Sequence, residues 1–105
     1  MTPIEQGAIW WIEQPDQKRR PCLVLSRPRS IPVMHDVLVA PVSTRIRRLD
    51  TEVPLDRPDG VPRPSVANLQ YVAAVPKSAL TRPIGRLAPG RWHEVCEAMR
   101  IAIGC

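Results

Sequence analysis

Thirteen prolines in 105 residues restrict this chain more than any other feature. Inside a helix, proline removes a backbone hydrogen bond and collides with the preceding turn, a cost of about 3 kcal/mol. The prolines stand at 3, 15, 21, 28, 32, 41, 54, 58, 62, 64, 76, 83 and 89. The longest stretch without one is 90–105, so a single full helix is allowed, and it is the last element. Everything before it reads as short strands and turns.

Apolar, branched and aromatic runs mark those strands at 7–13, 20–26, 37–43, 51–55, 65–75 and 84–87, with turn signals at Pro15-Asp16 and 56–60. Pro41 suggests an edge strand or a bulge for the third run. The fifth is long enough to bend or to pair with two neighbours. Trp10 and Trp11 fall on opposite faces of the first, so at most one can stack on a ligand, and packing is the default for both. In the last segment, Pro89 suits a first helical turn and Gly104 a stop. Trp92, Val95, Cys96, Met99, Ala102 and Ile103 recur there as one apolar stripe. The expected fold is mainly β (α+β), a small, strongly bent antiparallel sheet or SH3-like barrel with a C-terminal helix. Residues 1–105 form one domain with one small core.

No apolar run is long enough to span a membrane, and the N-terminus lacks a signal-peptide pattern. Cys22, Cys96 and Cys105 are odd in number and far apart, which reads as reduced thiols of a cytoplasmic protein.

Charge carries the first functional signal. Residues 18–48 hold Lys18, Arg19, Arg20, Arg27, Arg29, Arg45, Arg47 and Arg48 against one acid, Asp36, a local +7 in a chain whose total is +5. Seven of the eight are arginine, whose planar fork matches phosphate oxygens, so a polyanion is the favoured partner. No Gly-rich phosphate loop supports nucleotide hydrolysis. His93 and Cys96 share helical spacing without further soft ligands nearby, and Asp56 with Asp59 reads as turn chemistry, so no metal or other cofactor is expected. Chemistry on RNA stays open, because RNA brings its own nucleophile. Its 2′-OH can attack the adjacent phosphorus while the protein aligns the groups and stabilises charge. Arg20 at a strand start and Ser43 at a strand end form a minimal pair for that task.

The segments around that pair, in order, are Gly7-x-Ile-Trp, Arg20-Pro21-x-Leu-Val-Leu-Ser and Val39-Ala40-Pro41-Val42-Ser43-Thr44. Thr51-Glu52-Val53, Pro62-Arg63-x-Ser65-Val66-x-Asn68-Leu69 and Ile84-Gly85-Arg86-Leu87 follow. Together they resemble the MazF/PemK toxin family over nearly the whole chain. The resemblance implies an SH3-like barrel, a symmetric homodimer, and sequence-selective, metal-independent cleavage of single-stranded RNA to 2′,3′-cyclic phosphate and 5′-OH ends. It also implies a cognate, MazE-like antitoxin whose disordered tail occupies the RNA groove. Carried over, the family's Arg-Pro arginine is Arg20, which stabilises phosphorane charge. The family's catalytic threonine falls on Ser43, with Thr44 as a reserve hydroxyl.

This chain departs from the family in a short loop, about 14–19, and in Gln70-Tyr71-Val72-Ala73 after Asn68. Tyr71 there would exchange amide hydrogen bonding for stacking on a base, or serve as an interface or core aromatic. RNA-contact candidates are Arg19, Arg27, Arg45, Arg47, Arg48, Asn68, Gln70 and Tyr71. Two other classes remain: a non-catalytic or attenuated nucleic-acid-binding barrel, and a gyrase poison like the related CcdB group. The second depends on a tryptophan near the C-terminus, whereas the last tryptophan here is Trp92.

Overall fold

Short apolar strands cannot bury their faces singly, and here seven of them assemble into one antiparallel sheet. The computed structural model describes residues 2–105, so Met1 of the expected 1–105 domain lies outside the description. The strands are β1 (Ala8–Ile12), β2 (Arg20–Val24), β3 (Asp36–Ser43), β4 (Glu52–Leu55), β5 (Ser65–Asn68), β6 (Ala73–Pro76) and β7 (Leu80–Arg86). Helix α1 (Trp92–Ile103) closes the chain. The sheet order is β4-β5-β3-β2-β1-β7, with β6 also pairing β3. The expected architecture is present as a strongly bent sheet with β4 and β7 at its edges.

One local detail sharpens an expectation, since the run 65–75 bends and pairs with both β3 and β4, and two others differ. The run 65–75 is two strands, because the Asn68 side chain accepts the Gln70 N–H at 3.0 Å and caps a tight turn at Leu69–Tyr71. Both halves pair with β3: Val37 lies opposite Val75, and Ser43 opposite Val66. Pro41 occupies a central strand rather than an edge. Leu38 meets the β2 side through both its N–H and its C=O, so residues of the other parity, Pro41 included, face β5 and β6. Pairing with β6 ends at Val39 and pairing with β5 starts at Val42, so the missing N–H of Pro41 falls in the gap. The last strand starts earlier than expected, at Leu80, and tolerates Pro83 because β7 is an edge.

Burial divides into two clusters on opposite faces of the central strands, where one core was expected. Ile9, Leu23, Ala40, Val42, Val53, Leu69 and Leu87 pack beneath α1 with Val95 and Ala98. Trp10, Ile12, Cys22, Val24, Val37, Val39 and Val75 pack on the other face. Strand alternation produces this split, since β1, β2 and β3 carry apolar side chains at both parities. On α1 the buried residues are Val95 and Ala98, whereas Cys96 and Ile103, assigned to the stripe from spacing, are exposed.

Two backbone devices fix the frame. A Cβ on Gly85 would stand 2.0 Å from the Asp59 carbonyl oxygen, and one on Gly60 2.2 Å from that of Ile84. Only glycines allow these two segments to cross so closely. Arg91 clamps the start of α1, donating to both Glu94 oxygens at 2.8 Å and to the Pro54 carbonyl at 2.7 Å. The same guanidinium lies 3.5 Å from Asp59. This bidentate pairing raises the Arg91 pKa and holds the Glu94 carboxyl below its ordinary value.

Candidate active site

Antiparallel pairing brings the start of β2, Arg20, and the end of β3, Ser43, to the same end of the sheet. Cys22 lies opposite Pro41 and Val24 opposite Val39. Arg20 and Ser43 stand two residues beyond Cys22 and Pro41, on the face those two share. On the other side of β2, Arg20 pairs with Ile12. A cleft of about 210 Å³ opens on this face. Its floor is Ile12, Cys22, Val39 and Val75, all buried, and Arg20, Tyr71, Gln17 and Lys18 stand exposed around it.

Burial pushes the Cys22 thiol up to about 12, so the cleft floor stays neutral and offers no thiolate nucleophile. Ser43 is half-buried at the end of β3, and its Oγ accepts the Arg45 N–H at 3.0 Å. That bond occupies a lone pair and leaves the hydroxyl hydrogen free to donate. Thr44 is exposed in the loop that follows.

The structure sorts the remaining candidates. Arg45, Arg47 and Arg48 lie in the exposed loop after Ser43, at the same end of the sheet as Arg20. Arg27 and Arg29 follow the opposite end of β2, more than about 13 Å away along the strand. The continuous basic stretch in sequence is therefore two separate groups in space, because an antiparallel strand sends its two ends to opposite rims. Arg19 points away from the cleft, with its guanidinium 4.4 Å from the ring centroid of Trp11. Trp10 is 6% exposed and belongs to the core, as the alternation of the pair requires.

Asn68 is committed to capping its turn, which leaves Gln70 exposed and Tyr71 at the cleft. Tyr71 is 61% exposed, which removes the core reading for its ring. Gln14 and Gln17, which were not among the expected RNA-facing residues, line the cleft beside Lys18 of the basic stretch. Their position in the loop leading into Arg20 was the available signal. Acids share this end as well: the loops 14–19 and 44–51 contain Asp16 and Asp50. The local field is weaker than the sequence window suggests. The single acid inside that window, Asp36, sits at the far end of β3, about 23 Å from Ser43 along the strand.

Arg20 at the start of β2, Ser43 at the end of β3, the arginines of the loop that follows and exposed Tyr71 thus gather at one end of a strongly bent antiparallel sheet closed by a helix. Residues 5–103 match the family described as PemK-like, MazF-like toxin of type II toxin–antitoxin system. The chain belongs to that family. It is 42% identical over 101 residues to the Probable endoribonuclease MazF5 of Mycobacterium tuberculosis, covering 95% of this chain and 93% of that protein. The solved Mycobacterium tuberculosis toxin MazF-mt6 superposes with a TM-score of 0.86 at 34% identity, over 92% of this chain and 96% of that one. A mycobacterial endoribonuclease in complex with its cognate antitoxin superposes equally well, at 0.86, over 96% of this chain and 95% of that one. At 20% identity that last likeness carries the fold alone.

Proposed function

We propose that residues 1–105 act as a single toxin domain that cuts single-stranded RNA in the cytoplasm, with no metal, leaving 2′,3′-cyclic phosphate and 5′-OH ends. The observation that supports this reading is that Arg20 opens β2 and Ser43 ends its antiparallel neighbour β3, so both stand at one end of the sheet beside a basic rim. The 2′-oxygen bonds to the adjacent phosphorus as the bond to the 5′-oxygen breaks. The 2′-oxygen gives up a proton and the 5′-oxygen gains one, so no net proton is consumed. Negative charge grows on the non-bridging oxygens, where the Arg20 guanidinium stabilises it. The planar guanidinium offers paired N–H donors to those oxygens, which favours this electrostatic role over a general-base role. The free hydroxyl hydrogen of Ser43 donates to the same oxygens, with Thr44 as its alternative.

Arg45, Arg47 and Arg48 hold flanking phosphates, and Lys18 adds to them. Tyr71 offers a stacking surface and Gln70 an amide for an unpaired base. Arg19 contributes charge beside Trp11, and Asn68 acts through the turn it caps. Family membership supports a cognate antitoxin as partner. The uncovered apolar side chains Leu38 and Ile103, 45% and 64% exposed, support a protein surface against this one, including a second copy of the chain.

The test is incubation of the purified protein with long unstructured RNA in EDTA. Fragments carrying 5′-OH and cyclic phosphate ends support the reading, and intact RNA overturns it. Arg20→Ala, at an exposed position, is expected to abolish cleavage without changing the melting temperature. RNA cleavage is favoured over gyrase poisoning because the relatives this chain matches are named endoribonucleases.

A further inference from the structure

The loop that presents the arginines is shaped by a buried acid that the proposed chemistry leaves unused. Glu52 opens β4 and is only 9% exposed. Its Oε1 accepts the N–H of Arg47 at 3.0 Å and that of Leu49 at 3.3 Å. In return, the Leu49 carbonyl accepts the Glu52 N–H at 3.0 Å. Between the two donors, Arg48 adopts a left-handed φ of 57°, uncommon for a residue other than glycine. Alternate N–H groups flanking a left-handed residue form a concave anion nest. Here the chain's own carboxylate fills it.

The Ser43 hydroxyl anchors the entrance of the same loop through Arg45. Two side chains, one at each end, therefore hold a segment that carries three like charges. A carboxylate at this strand head is costly, since Val53 beside it is buried and the second oxygen, Oε2, is buried with no hydrogen-bond partner among the described residues. Fixing the loop is what the acid gives in return.

We propose that Glu52 is a positioning residue: its carboxylate closes the nest that presents Arg45, Arg47 and Arg48 beside Ser43, and so sets how firmly RNA phosphates are held. This inference rests on the RNA-binding reading above. It predicts a signature that reduced stability alone does not produce. Each phosphate neutralised on a single strand contributes about 0.7 to the slope of log affinity against log salt. If a disordered loop releases two phosphates, the slope falls by about 1.4 and binding weakens about 25-fold at 0.1 M salt.

The probe is a fluorescein-labelled single-stranded oligoribonucleotide, fully 2′-O-methylated so that it cannot be cut. Anisotropy titrations between about 50 and 200 mM salt give the slope, and thermal melts run alongside. Glu52→Ala is expected to show the reduced slope. Glu52→Gln is expected to restore it, because its amide oxygen still accepts both N–H groups and its nitrogen takes the place of the unpartnered Oε2. A Glu52→Ala protein that melts earlier but keeps the full slope overturns the proposal, as does a Glu52→Gln protein that loses the slope. If Glu52→Ala does not fold, Glu52→Gln alone decides on the same criterion. A protein that binds this probe but leaves ordinary RNA uncut removes the cleavage reading and not this one. Absence of binding removes both.

Discussion

Replacing Ser43 by alanine separates a catalytic hydroxyl from a loop anchor, and the two roles have different magnitudes. The anchor is the 3.0 Å bond from the Arg45 N–H. Arg45 is exposed, so water replaces the missing acceptor, and the penalty is about 0.5–1 kcal/mol. If that were the whole effect, the rate would fall no more than about fivefold. A hydrogen bond from the hydroxyl to a charged phosphoryl oxygen contributes about 1.5–3 kcal/mol, or roughly 10- to 150-fold in rate. Both roles together place Ser43→Ala at least tenfold below the unaltered protein. Ser43→Thr keeps the hydroxyl and adds the methyl that restrains χ1. It is expected to match or exceed the serine enzyme. Initial rates on a fluorogenic RNA in EDTA, under single-turnover conditions, read the chemical step directly. A Ser43→Ala rate within twofold of the original refutes the hydroxyl role, and a larger loss in Thr44→Ala than in Ser43→Ala moves it to Thr44.

Gly85→Ala is expected to destabilise the fold severely, by about 3 kcal/mol or more, because its Cβ would stand 2.0 Å from backbone that has no room to yield. A urea titration with an unchanged midpoint would contradict this. The Arg91–Glu94 clamp makes stability depend on acid. Arg91 lowers the Glu94 pKa in the folded state, so its contribution is complete above the ordinary carboxyl value and fades as pH falls through the depressed one. Melting temperatures of Glu94→Gln should therefore vary less below about pH 4.3 than those of the unaltered protein. Among the three thiols, Cys96 and Cys105 are exposed and Cys22 is buried. Iodoacetamide at mildly alkaline pH should label two per native chain and three after denaturation, as counted by intact mass.

Proline positions were enough to place α1, and alternation with turn signals located most of the strands. Both are local steric effects, readable residue by residue. The strand-end positions of Arg20 and Ser43 were legible for a related reason. Each stands at the outer end of a strand, and the turns between them are long enough to let β2 and β3 pair. The fate of Pro41 was not legible, since it depends on β6 ending and β5 beginning on the same flank of β3. Nor could the helix spacing show that Cys96 and Ile103 would stay uncovered, because the width of the sheet beneath α1 decides how much of the stripe is buried. Arg27 shows the same limit for charge. A count along the chain places it with Arg20, while the strand between them carries it to the other rim.

Glu52 marks where reading by residue type fails most instructively. In sequence it is an acid outside the basic stretch, within a short strand motif, and composition gives no reason to join it to the arginines. Three facts join it in space: the burial of β4's first residue, two backbone N–H groups within 3.3 Å of one oxygen, and a left-handed arginine between them. All three are matters of burial and backbone geometry, which residue type along the chain does not reveal. The arginines supply the charge that a polyanion meets, but a flexible loop would spread three such charges over many arrangements and lose entropy on binding. A buried carboxylate that fixes the backbone removes part of that cost before RNA arrives. The acid therefore strengthens a basic site through the shape it imposes, even though its own charge opposes the ligand.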